Sequence, residues 1–131
     1  MTTSTQSRAV ALEALRALPA GDRGRIEELL APDLDWRVPG IGPLSREELL
    51  DASARLSSAP VACIHIVATT AEGERVAVEA RGEFRFADGT EYCNEYHFLF
   101  VVRDGRIVQA REYLDTALVQ RVFGPREVHP A

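Results

Sequence analysis

Cysteine is scarce in this 131-residue chain: Cys63 and Cys93 are the only two, and neither belongs to a CxxC or a Cys/His metal spacing. That excludes a disulfide framework and leaves reduced, inert thiols as the expectation. An excess of basic residues is lacking too. The net charge is -5, whereas sequence-independent binding to nucleic acid or to an anionic membrane surface needs a basic face, so neither partner is expected. No apolar run approaches membrane-spanning length, and the opening "MTTSTQSRAVALEALRALPAGD" has no basic start followed by a continuous apolar stretch. A cytoplasmic protein is expected. Glycine-rich phosphate loops, a nucleophile elbow, internal repeats and low-complexity tracts are likewise missing.

What remains is 46% hydrophobic, enough for one domain over residues 1–131 with a single core, a loose N-terminus and a loose tail after about residue 124. Helical spacing of Val10, Ala14 and Leu18 predicts a first helix from Ser7 to Leu18, stopped by Pro19 and Gly21. Asp22 caps a second, ending before Pro32. Leu34, Trp36 and Val38 alternate as a short strand before Pro39 and Gly40 break it, and "IGPL" reads as a loop. Ser45 and Glu48 have the capping-box spacing for a third helix buried through Leu49, Leu50 and Leu56.

After "SSAP" the texture changes to strands at Val61 to Thr69, Arg75 to Ala87, Thr90 to Val102 and Arg106 to Leu114, joined by "AEGE", "ADGT" and "RDGR". Connections so short imply antiparallel neighbours, hence a meander. Asp115 or Thr116 caps a last helix, "ALVQRVF". Helices followed by a curved antiparallel sheet make the fold class α+β, with the helices packed on one face.

Asp-Gly turns occur as two-residue or three-residue loops, and the choice shifts register by one residue, which decides what faces the interior. At "ADGT" the three-residue form pairs Gly82 with Asn94, Ala80 with Tyr96, Val78 with Phe98 and Val76 with Phe100. It also sets Arg81 against Glu95 and Arg85 against Glu91, so apolar groups share one face and opposite charges the other. This form is the expected one. The two-residue form would instead turn Glu79 and Arg81 toward the interior. The same three-residue form at "RDGR" puts Tyr96 opposite Glu112, Phe98 opposite Ala110 and Phe100 opposite Val108. A pocket results, with Tyr92, Asn94, Tyr96 and Glu112 at its polar end and Trp36, Val38, Tyr92, Phe98 and Phe100 as substrate-binding walls.

Glu112 is the leading catalytic candidate, because a carboxyl walled by Phe98, Ala110 and Trp36 has its charged form disfavoured. Tyr96 and Asn94 would steady an oxygen on which charge builds. The plainer alternative is a carboxylate at the rim, hydrogen-bonded to Tyr96 and partly wet. His65 and His97 lie on separate strands with no further ligands seen to converge, so no metal site is expected, and His129 sits in the tail. His97, Leu99, Val101 and Val67 make the outer sheet face apolar enough to suggest a homodimer through it.

Three stretches, "WRVPG", "DGTEYCNEY" and "RDGRIVQAREYLDT", resemble the SnoaL-like branch of the NTF2-like superfamily, the likeness running from the first helix to Thr116. The resemblance implies a cone-shaped α+β barrel of the kind used by ketosteroid isomerases, limonene-epoxide hydrolases, polyketide cyclases and noncatalytic ligand binders. Glu112 would then occupy the place of a catalytic aspartate of the epoxide hydrolases, while their Arg-x-Asp pair falls on Ala80 and Gly82, or on Glu79 and Arg81 if the turn is not shorter. The aspartate base of the isomerases falls on Val38. The expected function is cofactor-free acid–base chemistry, by isomerisation, cyclisation, dehydration or epoxide hydrolysis, on an apolar oxygenated small molecule. The alternative is a noncatalytic binder or accessory dimer.

Overall fold

The computed structural model describes residues 2–125, so Met1, His129 and most of the expected loose tail lie outside the described residues. Helix α1 (Ser4–Ala20) begins earlier than its apolar spacing implies. Thr3 caps it reciprocally with Gln6, through bonds of 2.9 and 3.1 Å, satisfying amides that would otherwise have no partner. It also runs through Pro19, which forfeits only one bond in the final turn, before Gly21 at φ 68° ends it. The buried stripe Ala11, Ala14, Leu15 and Ala17 is built of mostly small residues, so α1 lies close against the sheet.

Helix α2 (Arg23–Leu29) starts from Asp22 as the sequence suggests. Helix α3 (Arg46–Ser57) carries the Ser45–Glu48 capping box, both bonds at 3.1 Å, and buries Leu49, Leu50 and Ser53. Leu56 is only half-buried. Asp115 caps helix α4 (Thr116–Phe123), which buries none of its own residues.

Among the described residues seven strands form one sheet: β1 (Leu30–Val38), β2 (Gly42–Leu44), β3 (Val61–Glu72), β4 (Arg75–Arg85), β5 (Glu91–Tyr92), β6 (Glu95–Arg103) and β7 (Arg106–Leu114). The "IGPL" segment is thus largely a strand, and β1 starts four residues before Leu34, with Pro32 falling where its pairing to β7 is irregular. The order is β2-β1-β7-β6-β4-β3, with β5 beside β4. Two expectations need correction. The sheet is mixed, because β1 runs parallel to β7, and the long stretch of chain between them permits what a tight turn forbids. It is also open, ending at β2 and β3, and does not close into a barrel.

The "ADGT" turn has the expected three-residue form: Phe86 N–H donates to the Thr90 carbonyl at 2.8 Å and Gly89 takes φ 90°. Ala80 therefore faces Tyr96, Val78 faces Phe98 and Val76 faces Phe100, while Arg81 meets Glu95 across the other face. Arg85 and Glu91 form an ion pair. The "RDGR" turn differs. Arg103 pairs with Arg106 around Asp104 at φ 52° and Gly105 at φ 75°, a two-residue loop.

One strand position later, Val108 bulges out of β7, and beyond it Phe100 faces Ala110, Phe98 faces Glu112 and Tyr96 faces Leu114. The expected partners were displaced by two residues, an even number, so Glu112 still points to the same face as Tyr96 and Phe98. That face, with α1 lying over it, holds the core.

Candidate functional site

Three side chains of β6 at alternate positions form an aromatic ladder: Tyr96 stacks on Phe98 at 5.2 Å between ring centroids and Phe98 on Phe100 at 5.3 Å. Trp36 of β1 meets Phe98 and Phe100 edge-on, at 6.4 and 5.7 Å. Burying each such ring stabilises the fold by roughly 1.5–3 kcal/mol, so the ladder is a rigid wall. Arg111 holds β1 in place, donating to the Asp35 carbonyl at 3.2 Å and to its carboxylate at 3.1 Å. Trp36 consequently sits beside Ala110 of β7, one pleat from Glu112.

Its indole Nε1 donates to Glu112 Oε1 at 3.0 Å. Glu112 keeps a little exposed surface, yet protein atoms crowd its carboxyl, and removal from water pushes its pKa up to about 7 against the partial opposition of the Trp36 bond. Among the described residues, no charged neighbour takes part in that shift. Glu112 is therefore divided between acid and carboxylate near neutral pH.

Tyr96 and Tyr92 lie at the end of this wall nearest β5, their hydroxyls facing each other. Burial raises both phenols, Tyr96 the more strongly, so each remains a protonated donor at neutral pH. Gly82 makes room for Tyr96: a Cβ there would come within 2.9 Å of Tyr96 Cε2 and 3.0 Å of its hydroxyl oxygen.

Asn94 is 1% exposed and fully engaged. Its Nδ2 donates to the Tyr92 hydroxyl and to the Asp115 carbonyl, both at 3.0 Å. Its Oδ1 accepts from the amides of Glu95 at 2.8 Å and Asp115 at 3.0 Å. The amide thus ties the start of β6 to the cap of α4, with no hydrogen-bonding position left over.

Val38, Phe98, Phe100 and Trp36 fall on the interior side, buried in the core, and Tyr92 is buried beside them, stacked on Phe84. The register left open by the sequence resolves with Glu79 and Arg81 exposed on the outer face. There they line a shallow hollow of about 490 Å³ with Val67, Glu95, His97 and Tyr113. Burial pushes the Cys63 thiol up, away from nucleophile chemistry. What the sequence did not disclose is the role of Asn94 as a staple, because its partners Tyr92 and Asp115 converge only in three dimensions.

Comparison with known proteins adds a family and a fold. The family model described as a SnoaL-like domain matches residues 11–110. An LEH-like epoxide hydrolase from M. tuberculosis superposes with TM-score 0.77 at 20% identity, over 91% of this chain and 90% of that one. IdmH from Streptomyces antibioticus, a proposed polyketide cyclase, gives 0.74 at 22% identity, over 91% of this chain and 99% of that one. An NTF2-like protein from Burkholderia xenovorans gives 0.70 at 22% identity, over 93% and 98%. These likenesses establish an α+β NTF2-like fold. No curated protein matches the chain in sequence.

Proposed function

We propose, for a chain that belongs to the SnoaL-like family, cofactor-free proton transfer on an apolar, oxygenated small molecule, with Glu112 as the group that takes and returns the proton. The observation that carries this is the carboxyl of Glu112, desolvated among aromatic rings and poised at about 7. A general base works best when its pKa lies near the working pH. In the step we envisage, the C–H bond beside a carbonyl breaks, its proton goes to the Glu112 carboxylate, and the electron pair moves onto the carbonyl oxygen. Tyr96, a phenol that does not ionise at neutral pH, turns its hydroxyl from Tyr92 to that oxygen. Return of the proton to another carbon is isomerisation. Attack of the carbanion on a second carbonyl is cyclisation.

The neighbours include an epoxide hydrolase and a proposed polyketide cyclase, and the chemistry of this interior fits the second better. Opening an epoxide with water calls for one group to protonate the oxygen and another to activate the water. Here Glu112 stands without a charged partner among the described residues, and the alternate strand positions Ala80 and Gly82 hold no ionisable group. Entry is proposed beneath α4, where Phe123, 53% exposed, touches Tyr92 at a centroid distance of 4.9 Å. Asn94 anchors that helix and acts as a positioning residue. Pairing of two copies through the outer face, around Val67 and Tyr113, and a cytoplasmic location belong to the same proposal.

Noncatalytic binding in the same interior is favoured by one observation, the saturation of Asn94, which removes an oxyanion donor. Carboxyl NMR titration of Glu112, assigned with Glu112→Gln, separates the readings. A midpoint near 7 supports proton transfer, and a midpoint near that of free glutamate leaves only binding.

A further inference from the structure

Two residues that face the same way on edge strand β3, Cys63 and His65, converge with Glu83 of β4 on the outer side of the sheet. The convergence depends on register: Val67 bulges out of β3, and on its far side Cys63 falls directly opposite Glu83 and His65 opposite Arg81. Cys63 Sγ lies 3.3 Å from His65 Nε2, and Nε2 lies 2.9 Å from Glu83 Oε2. The sulfur is 4.0 Å from that same carboxylate oxygen. One thiol, one imidazole nitrogen and one carboxylate oxygen thus surround a single point, all within 4.8 Å of one another.

We propose that Cys63, His65 and Glu83 bind a divalent cation of the zinc type, clamping edge strand β3 to β4. Zinc holds sulfur at about 2.3 Å and nitrogen or oxygen at about 2.0–2.2 Å, so the edges of its tetrahedron measure about 3.3–3.6 Å. The Cys63–His65 separation falls within that range, and the other two lie within about half an ångström of it. Mixed sulfur, nitrogen and oxygen donors suit a borderline ion and disfavour magnesium or calcium, which take oxygen. Arg85 Nε sits 3.5 Å from Glu83 Oε1, steering Oε2 toward the other two ligands.

The fourth position of the tetrahedron is left to water, because Cys93 lies outside the group formed by Cys63, His65 and Glu83. Phe84 pairs with Tyr92 and the Gly82 amide bonds to the Asn94 carbonyl, so Cys93 stands across β4 from Cys63, opposite Glu83. Binding replaces the S–H bond of Cys63 by a sulfur–metal bond and releases the proton to solvent. A nucleophilic cysteine relay is a poorer account. Thiol and carboxylate both meet Nε2, whereas a relay would use the two ring nitrogens separately. The cluster lies across the sheet from Glu112, so its fate and that of the proton-transfer proposal are independent.

The test uses the full chain, reduced and freed of metal by chelator, titrated with cobalt(II). One cobalt per chain should bind with a thiolate-to-cobalt charge-transfer band, and zinc should displace it and raise the unfolding temperature. Cys63→Ser should abolish that band, and His65→Gln or Glu83→Gln should weaken binding by at least about tenfold. Far-UV circular dichroism of these surface variants confirms that they fold. No charge-transfer band in the wild-type chain, or a band that survives Cys63→Ser, would overturn the site.

Discussion

The Trp36 indole donates its only N–H to Glu112 Oε1 at 3.0 Å, so a carboxyl that burial holds partly protonated is also held in one orientation across β1 and β7. Stability should consequently depend on pH through this residue. The folded pKa of about 7 lies above the ordinary 4.5, so the native state binds the extra proton between those values. The contribution of Glu112 is fully present below about pH 4.5, declines as pH rises toward 7, and is constant above. Glu112→Gln keeps the acceptor for Trp36 and removes the titration. The variant should therefore gain on the wild type as pH rises, by up to about 3 kcal/mol at pH 8. Urea unfolding at pH 4.5 and 8 measures the difference, and a gap that does not widen with pH would contradict the buried acid.

Trp36→Phe tests the other half of that pair. The bond from the indole stabilises the carboxylate, so its loss should push the Glu112 midpoint above 7, by somewhat under one pH unit for a bond worth about 1 kcal/mol. Smaller volume in the core should also cost about 1–3 kcal/mol of stability. The decisive reading is the direction of the carboxyl chemical-shift titration, because mere loosening of the core would admit water and lower the midpoint instead.

The face on which Glu112 lies was legible in the sequence, and its partner across the sheet was not. Apolar alternation at Tyr96, Phe98 and Phe100 fixes which side of β6 is buried, and any register that buries the matching face of β7 satisfies it. The same dipeptide, Asp88-Gly89 and Asp104-Gly105, then closes two different loops, with Asp104 alone of the two aspartates at positive φ. The second loop by itself would turn Glu112 outward, and the Val108 bulge restores the phase. Bulges leave little mark in a sequence of β-branched residues, and the one at Val67 similarly conceals the meeting of Cys63 with Glu83. The parallel contact of β1 with β7 was hidden for another reason. Nothing local joins strands so far apart in the chain.

Gly82 is required by the ring that covers it. A methyl group at this position would lie 2.9 Å from Tyr96 Cε2 and 3.1 Å from Phe84 Cε2, in a strand with buried rings on both sides. Gly82→Ala should therefore displace Tyr96 and cost about 1–3 kcal/mol. Near-ultraviolet circular dichroism reports the ring, and chemical unfolding reports the cost. An alanine variant of unchanged stability and unchanged tyrosine spectrum would show that Tyr96 is not packed over residue 82.

Asn94 separates a structural amide from a reactive one. It joins Tyr92, Glu95 and Asp115 through four bonds of 2.8–3.0 Å, so Asn94→Ala should strand buried groups and cost about 2–4 kcal/mol. Asn94→Asp is the sharper probe. An ionised carboxylate can still accept from the Glu95 and Asp115 amides, but it places an oxygen against the Asp115 carbonyl where an N–H now donates. Burial and that facing carbonyl both raise the pKa of the introduced carboxyl, and in its protonated form it can donate to the carbonyl again. The native state then binds the extra proton, so the penalty relative to the wild type should shrink as pH falls through the raised folded value and be smallest below about pH 4. Unfolding measured from pH 8 down to 4 should show Asn94→Asp recovering while Asn94→Ala does not. Equal losses at every pH would mean that the Asp115 carbonyl does not depend on residue 94 for its donor.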